Sequence, residues 1–324
     1  MRSDGKAIII ITHKLNEVLE ISDRVPGLRR GRNVGTVLTD EATEASLTEL
    51  MVGRHVDLDI ERPDPVSPQL RLEVKHLSCT GEYGVKALED VSFEAYSGEI
   101  LGIAGVANSG QKQLLETIAG LSAAAEGSIV YHDPAKGPEE LIGKKPLEIQ
   151  NMGIALSFVP EDRLGMGLVG SMNISDNMML RSYRRGSSVL TDRKYPRRMG
   201  EDVVRELNVS TPGMGTAVRK LSGGNVQKVL VGREISIVPR VLMTAYAVRG
   251  LDIQSSYMIY HILNEQKKSG TAVIHVGEDL DVLLAMCDRI LVLCGGRVSG
   301  IVDARTATKE DVGLLMTRSR REDG

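Results

Sequence analysis

The sequence is poor in cysteine and has no large excess of charge of either sign. Its three cysteines, Cys79, Cys287 and Cys294, are an odd number without metal-ligand spacing, so neither a disulfide framework nor a zinc site is indicated. Its 40 basic residues are balanced by 43 acidic ones. A protein without a basic excess is poorly suited to binding the phosphate backbone of nucleic acid. We therefore expect a reducing compartment and no nucleic-acid partner.

Long apolar runs are also missing. The longest, such as residues 7–11 and 290–294, have the length of a strand and are far shorter than the roughly 20 residues that a membrane-spanning helix needs. The first residues, MRSDGKAIIII, contain no apolar segment of signal-peptide length and no cleavage-site pattern. We therefore expect a protein that is not exported and that contacts a membrane only through another subunit.

An internal repeat divides the chain. Residues 11–37 align without gaps on residues 276–302, an offset of 265, so that Asp23-Arg24 meets Asp288-Arg289. An offset of this size corresponds to one large domain. The segment ERPDPVSPQ, with three prolines, has the composition of a linker. The predicted parts are a C-terminal remnant of a first domain (residues 1–60), a linker (61–69) and a second domain (70–324).

The remnant is expected to be incomplete. In this arrangement the glycine loop of the first copy would lie upstream of Met1, so the chain is expected to be N-terminally truncated. Pro26 and Gly27 stand where the second copy has Leu291 and Val292, and proline removes a donor from what would be a central strand. That strand is expected to be weak or shortened.

Short apolar segments alternate with helical ones in residues 70–324. Residues 99–106 (EILGIAGV) predict a buried strand that runs into a glycine-bearing turn, and residues 111–119 have helical spacing. Residues 70–74 and 91–93 alternate apolar and polar side chains, which predicts an antiparallel edge. Further buried strands are predicted at residues 153–159, 240–244, 272–276 and 289–293. The alternation predicts an α/β fold with a mostly parallel sheet, interrupted by a helical subdomain at about 172–234.

The run LSGGNVQKV at residues 221–229 is the most specific motif. Ser222 supplies a hydroxyl, two glycines permit close approach, and the helix that follows would present free amides to a phosphate. A bare Ser-Gly-Gly is also compatible with an ordinary N-capped helix. The longer run, which continues to Gly232-Arg233, resembles the signature motif of ABC-transporter ATPases. The predicted nucleotide contacts in it are Leu221, Ser222, Gly223, Gly224, Asn225 and Gln227.

Three other segments carry the same resemblance. Residues 11–18 (ITHKLNEV) resemble the switch-histidine segment, residues 160–163 (PEDR) lie at the Q-loop position, and residues 249–252 (RGLD) match the D-loop. Together they are similar to the C-terminal part of the tandem ATP-binding subunits of simple-sugar and nucleoside importers. The resemblance implies a P-loop NTPase-like ABC ATPase fold. It further implies the site residues His13 and Glu161, as catalytic residues, and Asp252, as a nucleotide contact.

The glycine loop departs from a catalytic one. A P-loop, G-x-x-x-x-G-K-[ST], uses its lysine for the outer phosphates and its hydroxyl for magnesium. Here Gln111 replaces the lysine and Lys112 replaces the hydroxyl residue. Two interpretations stay open: a nucleotide cradle in which Lys112 offers charge from a shifted position, and a structural turn. The residues of the cradle would be Gly105, Ala107, Asn108, Ser109, Gly110, Gln111 and Lys112. Tyr83 would be either an adenine-stacking residue or an exposed turn tyrosine.

Other chemical elements of the same site are altered too. After the strand at residues 240–244, where the resemblance implies an Asp for magnesium and a Glu as base, the chain has Ala245 and Tyr246. Alanine cannot hold a metal-bound water, and a tyrosine with its ordinary pKa of about 10 is a poor base at neutral pH. The repeat aligns Glu278 with His13. We expect ATP as ligand, a degenerate Mg²⁺ site without metal ligands, and little hydrolysis by this chain alone.

The resemblance also implies how the motifs are shared. ABC ATPase domains act as head-to-tail pairs, with each nucleotide between one domain's P-loop and the other's signature. A homodimer, a second ATPase chain that supplies the P-loop, and a non-catalytic regulatory subunit stay open. The implied partners are membrane permease subunits and a solute-binding protein. The implied location is the cytoplasmic face of the cell membrane, as a peripheral protein.

Overall fold

The structure is a computed structural model and describes residues 4–12, 15–29, 31–53, 59–81, 84–152, 154, 156–183 and 192–317. His13 and Tyr83 lie outside the described residues. The chain divides into two compact units, residues 1–59 with 251–258, and residues 60–250 with 259–324. In the described ranges, no helix combines the length and the apolar character that crossing a bilayer requires.

The secondary structure alternates helices and strands along the chain. The helices are α1 (Leu15–Ile21), α2 (Glu44–Val52), α3 (Gln111–Ile118), α4 (Pro146–Asn151), α5 (Ile174–Ser182), α6 (Lys194–Glu206), α7 (Gly223–Ile235), α8 (Ile253–Lys268), α9 (Leu280–Met286) and α10 (Lys309–Thr317). The strands are β1 (Arg24–Arg29), β2 (Arg32–Leu38), β3 (Leu70–Thr80), β4 (Lys86–Tyr96), β5 (Ile100–Gly105), β6 (Glu126–Asp133), β7 (Gly137–Glu140), β8 (Leu156–Val159), β9 (Val241–Ala245), β10 (Ala272–Val276), β11 (Arg289–Cys294) and β12 (Arg297–Asp303).

The smaller unit repeats the end of the larger one. The bounds of α1, β1, β2 and α2 each lie 265 residues before those of α9, β11, β12 and α10. Both hairpins are antiparallel and carry a register shift at the same point, Gly27/Leu28 in one and Val292/Leu293 in the other. The internal repeat of the sequence is therefore also a repeat of secondary structure.

The expected shortening of the strand at Pro26 is wrong. β1 has six residues, as many as β11, and Pro26 pairs with Thr36 of β2. In the described residues β2 is the one strand that pairs with β1, whereas β11 pairs with both β12 and β5. A proline is tolerated on a strand with one partner, because no second strand needs a backbone N–H from its other edge.

The larger unit is built on a six-stranded sheet in the order β12-β11-β5-β10-β9-β8. The pairs between β11 and β8 are parallel, and β12 is antiparallel. Every residue of β9 and β10 is buried, which is why these strands read as continuous apolar runs. The expected α/β fold with a mostly parallel sheet is confirmed.

A second, antiparallel sheet has the order β4-β3-β6-β7. Its first two strands correspond to the expected antiparallel edge, whereas β6 and β7 were not expected from the sequence. One apolar core joins the two sheets to α3 and includes Leu72 of β3, Ile103 of β5, Leu114 of α3 and Ile274 of β10. This core fixes the end of β5 beside the start of α3.

Helices dominate between β8 and β9. α5 is capped by Asn173, whose side chain accepts from the amide of Asp176, and α6 and α7 follow. The charged side chain of Glu234 is buried and is paired on both sides, with Arg181 of α5 at 3.0 Å and with Arg233 at 2.9 Å. The signature run therefore begins a helix, α7, whose buried Glu234 is linked to α5 by an ion pair with the partly buried Arg181.

Candidate functional site

The loop from Val106 to Gly110 joins β5 to α3, as expected of a glycine loop. Gly110 has a φ of 99°, and a Cβ built on it would lie 2.6 Å from the carbonyl oxygen of Ala87. Both facts require glycine at this position. The neighbouring Asn108 also has a positive φ, 66°, which asparagine tolerates better than most residues. The backbone thus has the close turn that a phosphate loop needs.

The side chain in the lysine position closes the loop on itself. Gln111 is 3% exposed, and its Nε2 donates to the carbonyl oxygen of Val106 at 3.1 Å. The amide of Ser109 donates to the same oxygen at 3.2 Å. The cradle therefore holds a neutral, bonded amide at the point where a P-loop has a free cation.

Lys112, the residue after the lysine position, lies beside an acidic side chain of its own helix. Its Nζ lies 3.8 Å from Oε1 of Glu116, one turn further along α3. Both residues line a cavity of about 350 Å³ that also includes Glu161, Asp162 and Ala245. With the Arg249 guanidinium that bonds Glu161, three carboxylates, one ammonium and one guanidinium leave a net negative charge of one, which disfavours a polyphosphate. Of the two interpretations of the loop, this geometry favours the structural turn.

No carboxylate follows the core of β9, because the chain has Ala245 and Tyr246 there. Ala245 is 1% exposed, and the amide of Tyr246 donates to the carbonyl of Val276 at the end of β10. Burial raises the pKa of the Tyr246 phenol, and the nearby charges of Glu161 and Glu278 raise it further. The phenol therefore stays protonated at neutral pH and cannot act as a base there.

A network of charged side chains surrounds Tyr246. The Arg249 guanidinium donates through Nη1 to Glu161 and lies with its Nε 3.2 Å from Oε1 of Glu278. The guanidinium of Arg163 donates to the backbone oxygen of Arg249, and burial lowers the pKa of Arg163. Glu161 after β8, the turn after β9 and Glu278 after β10 thus meet at one arginine.

Sequence reasoning named Glu161 and missed Arg163 and Arg249. Both arginines belong to runs that carry the family resemblance, PEDR and RGLD, and this position was the available signal for them. Their pairing was out of reach because Arg249 and Glu161 are 88 residues apart in the chain.

The signature segment has an open and intact geometry. Ser222 is the N-cap of α7, and its side chain caps no helix amide. Its Oγ accepts from Nδ2 of Asn225 at 2.8 Å, while Oδ1 of Asn225 accepts from the amide of Ser210. Ser222 and Gly223 are exposed. The helix amides and a serine hydroxyl hydrogen are therefore available to an anion at the start of α7.

Gly223 and Gln227 of the signature segment have different surroundings. A Cβ built on Gly223 would be 3.3 Å from Nη1 of Arg163, so the start of α7 lies against the arginine that binds the turn after β9. Gln227 is 1% exposed, and both atoms of its amide lack a hydrogen-bond partner among the described residues. Burial of an amide without partners is costly.

Asp252, a predicted nucleotide contact, is bonded at the start of its own helix. Asp252 accepts from the amide and the hydroxyl of Ser255 at 2.9 and 3.0 Å and so caps the start of α8. His13 and Tyr83, the expected switch histidine and adenine contact, lie outside the described residues.

The donor set in this half of the site does not fit a magnesium ion. Mg²⁺ prefers oxygen ligands in octahedral geometry, chiefly carboxylates, phosphates and water. Ala245 and Lys112 stand where a carboxylate and a hydroxyl would be needed, and Arg249 pairs with Glu161 and Glu278. No group of three or more His, Cys, Asp or Glu residues with metal-binding geometry occurs in the part of the chain that the structure describes.

Known proteins are similar to this chain in sequence and in fold. Residues 88–244 match the family model described as ABC transporter. The chain is 37% identical to the glucose import ATP-binding protein TsgD13 of Haloferax volcanii, over 98% of the chain and 57% of that protein. It is 33% identical to the nucleoside import ATP-binding protein NupA of Lactococcus lactis, over 97% and 61%, and 36% identical to the xylose import ATP-binding protein XylG of Moorella thermoacetica, over 96% and 61%. The chain thus spans about three fifths of the length of these relatives.

The fold agrees with solved ATP-binding cassettes. The dimeric cassette MJ0796 in a post-hydrolysis state with ADP and phosphate superposes with a TM-score of 0.62 at 20% identity, over 73% of this chain and 100% of that one. An ATP-binding subunit of an ABC transporter gives a TM-score of 0.61 at 21% identity, over 76% and 100%. By the family match and by these relatives, the chain belongs to the ATP-binding proteins of the ABC transporter family.

Proposed function

We propose that the chain is part of the ATP-binding subunit of an importer for simple sugars or nucleosides and couples ATP binding and hydrolysis to transport. The relatives named for glucose, nucleoside and xylose import support this proposal, because each is similar over nearly the whole chain. In the proposed assembly the ATP-binding subunit does not contact the transported substrate.

One contrast carries the proposal. The signature segment at the start of α7 is intact and exposed, whereas the glycine loop is closed by the Gln111 side chain. A signature without a working P-loop beside it is useful to a P-loop on another domain. In the proposed composite site, Ser222 and the first amides of α7 bind the outer phosphates of ATP, and the lysine and the magnesium ligands come from that other domain.

The repeat supports a tandem organisation. Because α1, β1, β2 and α2 match the end of the larger unit at a constant offset of 265, we propose that residues 1–60 are the C-terminal part of a first ATPase domain. In this organisation residues 61–69 are the linker, residues 70–324 are the second domain, and residues 172–234 are its helical subdomain. His13 is then the switch histidine of the first domain.

Membrane permease subunits and a solute-binding protein are the proposed partners, at the cytoplasmic face of the membrane. The segment that follows Glu161 is suited to the permease contact, because it exposes four apolar side chains within nine residues. They are Leu164, Met166, Val169 and Met172.

A mixing experiment tests the composite site. The purified chain alone should release phosphate from ATP far more slowly than the enzymatic rate of on the order of 1 per second. Addition of an ABC ATPase domain that carries an intact P-loop should produce ATPase activity. Ser222→Arg should abolish this activity, because the bulky arginine side chain fills the space that the phosphates would occupy. Ser269→Arg, an exposed serine past the end of α8, is the matched control and should leave the activity unchanged.

A second function is favoured by Gln111, Ala245 and Tyr246. With these residues the chain would be a non-catalytic nucleotide-binding or regulatory fragment without ATPase activity of its own. Equilibrium binding of a fluorescent ATP analogue separates the two functions. Tight binding without turnover, with or without the partner domain, supports the regulatory role, and partner-dependent turnover that is lost in Ser222→Arg supports the importer role.

A further inference from the structure

Arg249 lies in the turn after β9 and is the centre of an ion-pair network. Its Nη1 donates to Oε1 of Glu161, and its Nε lies 3.2 Å from Oε1 of Glu278. Its Cζ is 5.9 Å from the ring centroid of Tyr246, within the range of a cation–π contact. One guanidinium therefore holds two carboxylates that come from the loop after β8 and the loop after β10.

The carboxylates of Glu161 and Glu278 both lie beside the Arg249 guanidinium. Carboxylates that share one site repel each other unless a positive charge compensates them. Lys112, a nearby ammonium, pairs with Glu116 instead, and Arg163 approaches Arg249 through the backbone oxygen. Within the described residues, the compensating charge between Glu161 and Glu278 is that of Arg249.

We propose that the Arg249 guanidinium is the resident cation of this site and takes the place of a divalent metal between the carboxylates of Glu161 and Glu278. This inference goes beyond the transport function, since it concerns the isolated chain and needs neither nucleotide nor partner.

The resident cation also positions the surrounding loops. Arg249 binds the loops after β8 and β10 through its side chain and receives Arg163 at its backbone oxygen. Arg163 in turn lies against Gly223 at the start of α7. The signature segment is thereby connected to the turn after β9 without a bound ion. Arg249 is a positioning residue in this arrangement.

Removal of the cation tests the proposal by a gain of metal binding. Arg249→Ala leaves Glu161 and Glu278 facing a space that Mg²⁺ can bridge, with water in its other positions. In thermal unfolding we expect the variant to melt about 3 °C below the unmodified chain in low salt. Millimolar MgCl₂ should then raise the melting temperature of the variant by about 2 °C and leave the unmodified chain unchanged, at ionic strength matched with KCl.

Three further variants locate the effect. Arg249→Ala combined with Glu278→Gln should lose the response to MgCl₂, because one carboxylate remains. Arg249→Lys keeps a cation and should remain insensitive to MgCl₂. Arg297→Ala is the matched control, since Arg297 pairs with a single carboxylate, Glu89, which keeps its bond to Lys86 when the arginine is removed.

Two results would overturn the proposal. One is an equal response to MgCl₂ in the unmodified chain and in Arg249→Ala, which would mean that the arginine does not take the place of a metal. The other is a folded Arg249→Ala variant, as shown by its circular dichroism spectrum, that gains no response to MgCl₂.

Discussion

His275 is a buried histidine whose charge state controls stability. It lies on β10, is 1% exposed, and its Nδ1 is 2.8 Å from the hydroxyl of Thr244. Burial lowers the pKa of His275 to about 4, against about 6.5 in an unfolded chain. The folded chain therefore resists protonation while the unfolded chain accepts a proton, so acid favours unfolding.

The prediction for His275 is a loss of stability in weak acid. Its contribution is complete above pH 6.5 and declines as the pH falls from 6.5 to 4, by about 3 kcal/mol in total. Urea unfolding at a series of pH values should show this slope in the unmodified chain. It should be largely absent from His275→Gln, which keeps a polar partner for Thr244 and does not titrate in this range. Equal slopes in both proteins would contradict the prediction.

Lys267 of α8 and Asp288, directly before β11, form a buried ion pair. Lys267 is 2% exposed, its Nζ is 2.7 Å from Oδ1 of Asp288, and the amide of Ile100 donates to Oδ2. Lys267→Met should lower the free energy of unfolding by about 3 kcal/mol, because it leaves the buried carboxylate with the amide of Ile100 and a longer contact of 3.8 Å to Arg305. Chemical denaturation measures the change.

A neighbouring lysine provides the control for this pair. Lys268 is exposed and pairs at the surface with Glu61, so Lys268→Met should change stability little. The double variant Lys267→Met with Asp288→Asn should recover much of the loss, since it removes both charges. A loss in the double variant as large as in Lys267→Met would show that packing, and not the unpaired charge, is responsible.

The glycine loop can be tested as an element. Gln111→Lys together with Lys112→Ser restores the P-loop pattern on a backbone that already has the required turn at Gly110. ATP affinity should rise about tenfold or more, because the new ammonium makes a charge-assisted bond to phosphate. Hydrolysis should stay undetectable because Ala245 and Tyr246 are unchanged. Labelled-ATP binding and phosphate release measure the two effects, and Lys112→Ser alone should not raise the affinity.

Some elements could be predicted from the sequence and others could not. The strands β5, β9 and β10 are continuous apolar runs because both faces of the main sheet are covered, so their pattern is visible locally. β7 (GPEE) looks like a turn, and it forms because it pairs with β6 and because Glu140 accepts from three backbone amides.

The site divides in the same way. The spacing of Gly105 and Gly110 and the signature run are local patterns, whereas the bond from Gln111 to Val106 depends on the final turn geometry. The bridge of Arg249 to Glu161 and Glu278 depends on strand order. Tertiary contacts of this kind leave no periodic trace in the sequence.

At the scale of the whole molecule, the repeat places two copies of one segment in different surroundings. In the second copy, β10 lies between β5 and β9 with all its residues buried. The first-copy counterpart of β10 is residues 7–11, and among them Ile9 is 90% and Ile11 is 92% exposed. A sequence suited to the centre of a parallel sheet is therefore in contact with water, and apolar segments of this kind promote association.

The whole-molecule prediction is that this segment drives self-association. Ile9→Lys together with Ile11→Lys should keep the chain monomeric at concentrations where the unmodified chain forms larger species, because charge opposes strand pairing. Light scattering coupled to gel filtration measures the mass. Val238→Lys is the matched control, because this valine is 75% exposed in the larger unit as a single apolar side chain. If Val238→Lys suppressed association as strongly as the double variant, net charge and not residues 7–11 would be the cause.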